Sequence, residues 1–340
     1  MSATDLAAIA QQMVAPGRGV LAADESNATI TKRFAALDIE STEENRRSYR
    51  NTLLSTPGLE EYISGVILYD ETIRQSADDG TPFPKMLEAK GILPGIKVDT
   101  GSKPLANKPD EQVTEGLDGL RDRIAEYVEL GAKFAKWRAV IVIGDGLPSD
   151  YAIRCNAHAL ARYAALCQEG GLVPIVEPEV LMDADNDIET CYQATYRTHQ
   201  RVFRELAAQN VDLKGMVLKP NMVISGKKCA TQASPEEVAD RTLDLLYRTV
   251  PAAVPGIAFL SGGQTAQVAT EHLDLMNKQG PHPWTLTFSY GRALQDDALR
   301  TWKGAADNVG EAQKVASLRA KLTSLAAQGS YDREMETAGV

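Results

Sequence analysis

A lysine follows one of the short apolar runs of the chain. In the segment GMVLKPNM, residues 215–222, the apolar residues 216–218 predict a buried strand with Lys219 as its last residue. Pro220 ends that strand because proline has no backbone N–H to donate to a sheet. A charged lysine is seldom buried without a partner or a task. The sequence neighbours of Lys219 supply no counter-charge, so its partners must come from other parts of the chain.

Other apolar runs also contain charged residues at or near their ends: Asp24, Lys136, Arg138, Glu177 and Glu179. Residues two apart in a strand share a face, so Lys136 and Arg138 are expected to point the same way, and so are the two glutamates. If Lys219 points inward from the next strand, it meets carboxylates from one neighbouring strand and a second ammonium group from the strand beyond.

This cluster could be an ion-pair network that only closes the fold. Six charged residues at successive strand ends are a costly way to do so, because buried charges cost several kcal/mol each and apolar packing serves structure better. A lysine desolvated near another cation loses its proton more readily and attacks carbonyl carbons. The pattern therefore predicts a Schiff base at Lys219, which lets a carbon–carbon bond two atoms away break to an enamine. Glu177 is the nearest candidate acid–base.

Two glycine-containing turns follow the last two apolar runs and suit a phosphate group. The first contains Ser261, Gly262 and Gly263, and the second contains Ser289, Gly291 and Arg292. Backbone N–H groups and helix N-termini bind phosphate at such positions in barrels, and an arginine adds a charge-assisted hydrogen bond. Either turn alone is more often a plain tight turn, but the two together favour a phosphate site.

The elements that must position these residues alternate along the chain. Eight apolar runs predict strands: GRGVLAADES, YISGVILYDE, LPGIKVDTG, AKFAKWRAVIVI, GLVPIVEPEV, GMVLKPN, GIAFLSGGQ and LTFSYGRAL. Helical patterns separate them, with predicted capping boxes at Ser41/Glu44 and Ser234/Glu237. This alternation predicts a single-domain α/β fold, a (β/α)8 TIM barrel over residues 1–325, followed by a flexible C-terminal tail over residues 326–340. An open doubly wound sheet is the alternative.

Composition narrows the class of protein. The 340-residue chain has a formal net charge of −10, which argues against a general nucleic-acid or anionic-membrane partner. It has no apolar run of membrane-spanning length, no signal-peptide pattern at its start and no paired cysteines. A cytoplasmic protein without disulfides is expected. The four histidines lack metal-ligand spacing, so we expect no metal and no other cofactor.

The motifs that contain these residues resemble those of a known family, the class I or Schiff-base fructose-bisphosphate aldolases. Eight motifs match in order: LAADES, TEENRRSYR, GIKVD, FAKWR, IVEPE, LKPNMV, FLSGGQ and LTFSYGRAL. The resemblance implies a (β/α)8 barrel, usually a homotetramer, that acts without metal on a sugar phosphate. The implied reaction is reversible cleavage of fructose 1,6-bisphosphate to dihydroxyacetone phosphate and glyceraldehyde 3-phosphate.

The resemblance also implies roles for individual residues. Lys219 would form the Schiff base and Glu177 would be the main acid–base, with Asp24 and Lys136 assisting at the reacting atoms. Glu179 and Arg138 would support the site. The residues implied to hold the 1-phosphate end of the ketose are Ser261, Gly262, Ser289, Gly291 and Arg292. Those implied at the other phosphate or adjoining groups are Ser26, Thr29 and Arg33.

Two departures from the family pattern matter. The motif GIKVD continues in familiar animal members with a lysine that helps to hold the 6-phosphate, but here the next residue is Thr100. Unless Lys103 or Arg33 compensates, the preference for fructose 1,6-bisphosphate over fructose 1-phosphate should be smaller, and Thr100→Lys should improve use of the bisphosphate. Those members also end in a tyrosine that reaches the site, whereas this sequence ends in Val340, with Tyr331 the only tyrosine nearby.

The sequence is also compatible with two other functions. A different Schiff-base barrel enzyme of the transaldolase type would use the same lysine chemistry, and product analysis with and without an acceptor aldose would separate the two. A scaffold without catalysis is a third possibility, although the complete set of polar residues argues against an inactive site.

Overall fold

The computed structural model describes residues 3–338 of the chain, so Val340 lies outside the described residues. Its strands are β1 (Gly19–Ala23), β2 (Ile63–Leu68), β3 (Leu93–Lys97), β4 (Ser102–Leu105), β5 (Lys108–Thr114), β6 (Phe134–Ile141), β7 (Val173–Val180), β8 (Val217–Leu218), β9 (Gly256–Phe259) and β10 (Thr285–Tyr290).

The helices lie between and after these strands. They are α1 (Ala3–Met13), α2 (Asn27–Ala35), α3 (Glu43–Leu54), α4 (Asp70–Ile73), α5 (Phe83–Ala89), α6 (Leu120–Glu129), α7 (Asp150–Glu169), α8 (Ile188–Ala208), α9 (Pro235–Thr249), α10 (Ala266–Lys278), α11 (Arg292–Trp302), α12 (Val309–Ala326) and α13 (Met335–Ala338).

Eight of the strands close into one parallel barrel. Their order around the barrel is β1, β10, β9, β8, β7, β6, β3, β2, and β2 returns to β1. Each strand is almost entirely buried, because barrel strands are covered by side chains inside and by helices outside. The predicted single-domain (β/α)8 barrel is confirmed, and the open doubly wound sheet is wrong.

The two ends of the barrel differ in character. At the end where the strands begin, Leu6, Ala10 and Met13 of α1 pack against inward residues such as Val173 and Val217. This apolar layer fills that end of the barrel. The charged residues of the strands therefore collect at the opposite end, where the strands finish.

The pairing between strands is uneven, and this shapes the charged end. β6 and β7 pair over eight residues, which sets Arg138 opposite Glu177. β8 has only two residues, and its only pairing with β9 is Leu218 with Ile257. Regular strand pairing therefore ends immediately before Lys219.

Several predicted elements differ in their bounds. Each barrel strand is shorter than the apolar run that predicted it, so Asp24, Lys219 and Ser261 lie just beyond a strand instead of within it. The antiparallel hairpin of β4 and β5, inserted between β3 and α6, was not predicted. Its two strands consist mostly of polar residues with few apolar ones, and such a composition is typical of a loop.

Helix caps test the capping-box predictions directly. Ser234 caps α9 by accepting a hydrogen bond from the Glu237 backbone N–H at 3.2 Å, as predicted. The prediction of Ser41 as a cap was wrong. Thr42 caps α3 and accepts from the Asn45 backbone N–H at 3.0 Å, while Ser41 accepts a hydrogen bond from Thr31.

The segment after α12 packs against the barrel helices as far as it is described. Tyr331 is buried, its backbone N–H donates to Asp274 of α10, and its hydroxyl donates to Glu336. Glu336 in turn accepts two hydrogen bonds from Arg319 of α12.

Two further expectations concern cysteines and membrane spans. Cys155, Cys167, Cys191 and Cys229 are all free. Within residues 3–338, no helix is both long and apolar enough to cross a bilayer.

Candidate active site

A cavity of about 710 Å³ opens where the barrel strands end. Fourteen of the fifteen residues that the sequence singled out line it: Asp24, Ser26, Thr29, Arg33, Lys136, Arg138, Glu177, Glu179, Lys219, Ser261, Gly262, Ser289, Gly291 and Arg292. The fifteenth, Gly263, lines a groove next to it. The structure thus brings together residues from six barrel strands or the loops that follow them.

Lys219 lies at the bottom of this cavity. Its backbone N–H still donates to Val176 of β7 at 2.8 Å, which holds the residue at the strand end. The following Pro220 carbonyl accepts from the Leu260 backbone N–H at 3.0 Å, which ties Lys219 to the loop after β9. The residue is only 4% exposed, and its Nζ lies 3.1 Å from Glu177 Oε1.

A second buried ammonium group lies beside the same carboxylate. Lys136 Nζ is 2.6 Å from Asp24 Oδ2 and 3.4 Å from Glu177 Oε2. Burial opposes the charge of Lys136, but Asp24 and Glu177 outweigh it and raise the pKa of this lysine above its usual value. Lys136 therefore keeps its proton at neutral pH and places a fixed positive charge next to the Glu177–Lys219 pair.

The two carboxylates of this cluster are both ionised in the free protein. Burial would raise the pKa of Asp24, yet Lys136 and Lys219 lower it to about 2. Burial likewise opposes the charge of Glu177, but the same two lysines lower its pKa from the usual value. Glu177 Oε2 is buried and accepts no hydrogen bond among the described residues, although the Lys136 ammonium group lies 3.4 Å away.

The second charged pair lies nearer the cavity mouth. Arg138 Nε donates to Glu179 Oε2, and the arginine side chain is 42% exposed. The backbone N–H of Arg138 donates to Asp99 at 3.3 Å, which joins β6 to the loop after β3. Burial opposes the charge of Arg138, but Glu179 raises the pKa of this guanidinium further. The pair is a fixed wall of the cavity.

Neutral hydrogen-bonding groups line the side of the cavity formed by β9, β10 and α11. Ser289 is buried, and its hydroxyl has no partner among the described side chains and backbone groups. Gly291 precedes the first turn of α11, which begins with the exposed Arg292. An unsatisfied hydroxyl, a helix N-terminus and an arginine together suit a phosphate dianion.

Gly262 completes this side at a position where a side chain would be tightly packed. A Cβ on Gly262 would lie 3.0 Å from both Glu179 Oε1 and Leu260 Cδ1. The backbone of the loop after β9 thus runs close against the Glu179 carboxylate.

The opposite side of the cavity is formed by α2. Ser26 caps this helix, and its hydroxyl lies 3.1 Å from that of Thr29. Arg33 also reaches the cavity, but it forms ion pairs with Glu25 and Asp296. Its positive charge is therefore largely balanced within the protein.

Four charged cavity residues were not singled out from the sequence: Glu25, Lys32, Lys97 and Asp99. Lys97 Nζ donates to Asp99 Oδ1 at 2.5 Å and to the Asp99 carbonyl at 2.8 Å. A signal was present, because Lys97 and Asp99 lie two apart at the end of the third apolar run, as Lys136 and Arg138 do in the fourth. Lys32 lies one helical turn after Thr29 and could have been found from α2 periodicity.

Thr100 and Lys103, the residues discussed for the 6-phosphate, are both exposed and neither lines the cavity. Thr100 is held by backbone hydrogen bonding to Glu115, and Lys103 lies in β4 of the hairpin. The lysine nearest to them in sequence that lines the cavity is Lys97, the last residue of β3, which forms an ion pair with Asp99.

The remaining polar candidates lie away from the cavity. His158 is exposed, and His199 is buried in α8, where its Nδ1 lies 3.1 Å from the Thr249 hydroxyl. Tyr331 does not line the cavity. Within the described part of the chain, no group of three or more His, Cys, Asp or Glu residues is arranged to hold a metal ion.

Comparison with known proteins gives a consistent result. A family model described as Glycolytic, fructose-bisphosphate aldolase class-I, matches residues 5–340. A Xanthomonas campestris protein named probable fructose-bisphosphate aldolase class 1 is 59% identical over 97% of this chain and 99% of its own length. An Arabidopsis thaliana protein named fructose-bisphosphate aldolase 6, cytosolic, is 51% identical over 97% of this chain and 92% of its own length.

Solved structures show the same fold. The fructose-bisphosphate aldolase of Plasmodium falciparum, solved in complex with TRAP and a small-molecule inhibitor, superposes with a TM-score of 0.95. It is 48% identical in sequence, and the match covers 97% of this chain and 95% of that chain.

Proposed function

The chain belongs to the class I fructose-bisphosphate aldolase family and is a glycolytic lyase, and we propose that Lys219 forms the Schiff base through which it cleaves fructose 1,6-bisphosphate. The products are dihydroxyacetone phosphate and glyceraldehyde 3-phosphate, and the reaction is reversible. The observation that carries the assignment to Lys219 is its position 3.1 Å from Glu177 and beside a second ammonium group at the bottom of the cavity.

The first step requires an uncharged amine. Proton transfer from Lys219 to Glu177 across their 3.1 Å contact produces the amine and a protonated carboxyl together. Lys136 keeps its own proton and places a fixed positive charge beside this pair. The amine then attacks the ketose carbonyl at C2 to give a carbinolamine.

Dehydration and cleavage can use the same carboxyl group. Glu177 gives its proton to the departing hydroxyl, which leaves as water, and the protonated Schiff base remains. When the C3–C4 bond breaks, its electron pair moves into an enamine on Lys219. The ionised Glu177 accepts the C4 hydroxyl proton as the aldehyde leaves, and later returns it to C3 before hydrolysis releases dihydroxyacetone phosphate.

The other residues bind and orient. Asp24, with a pKa of about 2, is a poor proton acceptor, so its role is to hold the Lys136 ammonium group in place. Arg138 and Glu179 support the cavity wall. The proposed 1-phosphate site consists of Ser261, Gly262, Gly263, Ser289, Gly291 and Arg292. The proposed site for the other phosphate and the groups next to it consists of Ser26, Thr29 and Arg33, to which the cavity adds Lys32 and Lys97.

Borohydride trapping tests the assignment to Lys219. Reduction in the presence of dihydroxyacetone phosphate should leave one adduct on the peptide containing Lys219, and Lys219→Ala should remove both adduct and cleavage. Lys219→Arg should be no more active, since guanidinium stays protonated and cannot attack. Lys228→Arg, at an exposed lysine, is the matched control. An adduct on Lys136 would assign the covalent chemistry to that residue instead.

We also propose that the enzyme works in the cytoplasm, as a homotetramer and without a metal ion. Support comes from the resemblance and, for the location, from the name of the Arabidopsis relative. Activity should be unchanged by EDTA, and a zinc-restored loss would contradict the metal-free mechanism. Sedimentation would give the number of copies. We propose that the barrel domain covers residues 1–325 and that residues 326–340 form the C-terminal tail, which is held in its described part by the contacts of Tyr331 and Glu336.

A further inference from the structure

We infer that His272 is a positioning residue that fixes the phosphate-binding loop after β9 by donating a hydrogen bond from Nδ1 to Gln264. This inference rests on the proposed function, because it assigns a supporting residue to the loop that contains Ser261 and Gly262. His272 lies in α10, is 4% exposed and does not line the cavity.

The contact joins the loop to the helix that follows it. His272 Nδ1 lies 2.6 Å from Gln264 Oε1. On its other side, Gln264 Nε2 lies 3.6 Å from Met222 Sδ, and Met222 is fully buried three residues after Lys219. The Gln264 side chain therefore connects α10 to the segment that contains Lys219.

The partners determine which way each group faces. The Gln264 amide NH₂ faces Met222, whose sulfur can only accept, and the Gln264 carbonyl oxygen faces His272. That oxygen can only accept, so the imidazole N–H must be on Nδ1. Burial lowers the pKa of His272 to about 4, so at neutral pH the imidazole is uncharged and carries one N–H.

The loop is a tight turn whose two glycines provide no side chain to hold it. The Gln264 backbone N–H donates to the Ser261 carbonyl at 3.2 Å, which closes a tight turn. Gly263 within this turn has φ +81°, and a Cβ there would lie 2.7 Å from Met182 Cγ. Two adjacent glycines leave the turn with no side chains of its own to fix it, and Gln264 is the first side chain after them.

The geometry predicts a specific kinetic effect. His272→Leu leaves the Gln264 carbonyl without its donor and frees the turn, so KM for fructose 1,6-bisphosphate should rise about tenfold. KM for fructose 1-phosphate should rise by the same factor, since both substrates carry the 1-phosphate. The value of kcat should fall less than threefold, because the groups around Lys219 are unchanged.

Conservative variants separate positioning from packing. The amide nitrogen of Asn occupies nearly the place of imidazole Nδ1, so His272→Asn should restore KM to within about twofold of the parent protein. His272→Gln places its donor nearer the Nε2 position and should not. His199→Leu is the matched control, because His199 is equally buried but lies in α8 away from the cavity. It should leave KM unchanged.

The outcomes are distinct. An unchanged KM in folded His272→Leu, or equal effects of the Asn and Leu variants, overturns the inference. If His272→Leu does not fold, Gln264→Met removes the same contact from the other side and should give the same rise in KM. Failure of the unmodified protein to form the Lys219 adduct contradicts the proposed function itself, whereas a normal adduct with unchanged KM in these variants contradicts only the role of His272.

Discussion

At the scale of single residues, the site depends on the number of positive charges around Glu177. One carboxylate faces two ammonium groups, and among residues 3–338 only Lys136 of the two has a second carboxylate within ion-pair distance. This asymmetry separates the two lysines chemically. Lys136 is held charged by Asp24 and Glu177, whereas Lys219 contacts Glu177, and this difference supports the proposed assignment of the nucleophile to Lys219.

The first prediction concerns Glu177 as proton shuttle. Glu177→Gln keeps the shape of the side chain and removes its ability to carry a proton, so kcat should fall roughly 10²–10⁴-fold with a smaller change in KM. Steady-state kinetics measures both. Glu111→Gln is the matched control, because Glu111 is as buried as Glu177 but bonds to Ser149 outside the cavity. A Glu177 variant with near-normal kcat would transfer the shuttle to Asp24 or Glu179.

The second prediction concerns pH and Asp24. Its pKa is lowered in the folded protein from 3.8 to about 2, so its ionised form stabilises the fold above pH 4, and this stabilisation is lost as pH falls toward 2. Between pH 5.5 and pH 3.5 the parent protein should lose roughly 0.5–1 kcal/mol more free energy of unfolding than Asp24→Asn. Urea unfolding at both values tests this. Equal losses in the two proteins would show that Asp24 is not stabilised by the lysines.

At the scale of elements, the proposed site for the second phosphate involves the end of β3, where Lys97 is the last strand residue. The sequence suggested that Thr100 affects binding of this phosphate, but the residue in the cavity wall is Lys97. A lysine at a phosphate contributes a charge-assisted contact of about 1.5–3 kcal/mol.

The third prediction follows from this placement. Lys97→Met should lower kcat/KM for fructose 1,6-bisphosphate about tenfold or more and change fructose 1-phosphate much less, because the substrates differ only in that phosphate. Thr100→Lys and Lys103→Ala, at exposed positions outside the wall, should have little effect on the ratio of the two substrates. If Thr100→Lys improves the bisphosphate selectively, the original expectation from the sequence is right and the loop moves toward the substrate.

Strands and helices were predicted correctly where their own residues determine them. Continuous apolar runs predicted all eight barrel strands, and the charges at their ends predicted the cavity, because strands buried on both faces need apolar residues along their length. The hairpin of β4 and β5 was missed because its stability comes from pairing and from contact with α7, not from its own composition. The cap at Thr42 was missed because Ser41 and Thr42 both carry a hydroxyl group that can cap a helix, and only the backbone geometry decides which of them does so.

The site was predictable to the same extent. Lys219, Lys136 and Glu177 could be assigned to one cluster from strand order and side-chain alternation. The balance of charge at Arg33 could not, because Asp296 lies in α11, 263 positions further along the chain. His272 gave no signal either, since its contact with Gln264 depends on how α10 lies against the loop before it.

At the scale of the whole molecule, the chain closes on itself in two places, at the β1–β10 seam and through the segment that follows α12. The second closure uses Tyr331, which bonds to α10 through Asp274 and to Glu336, the partner of Arg319 in α12. Together these contacts fasten the C-terminal segment to the outside of the barrel.

The fourth prediction concerns this closure. Tyr331→Ala removes a buried ring and a hydroxyl contact, so trypsin should cleave after the exposed Arg333 several-fold faster. Tyr331→Phe retains the ring and should differ little from the parent protein. Mass spectrometry of the digest gives the rates. Equal cleavage of all three proteins would show that this segment opens without any need to displace Tyr331.

The β1–β10 seam has a consequence for synthesis of the protein. β1 pairs with β10 through only Val20 with Ser289 and Leu21 with Tyr290, so one edge of β1 stays unpaired until β10, the last strand, has been synthesised. At translation speeds of roughly 5–20 residues per second, this wait lasts roughly 15–50 s. During that time an apolar strand edge is exposed on the ribosome, and such edges pair readily with other chains. A chaperone that covers the nascent N-terminal half would therefore raise the yield of folded barrel, whereas chains stalled before residue 285 would aggregate.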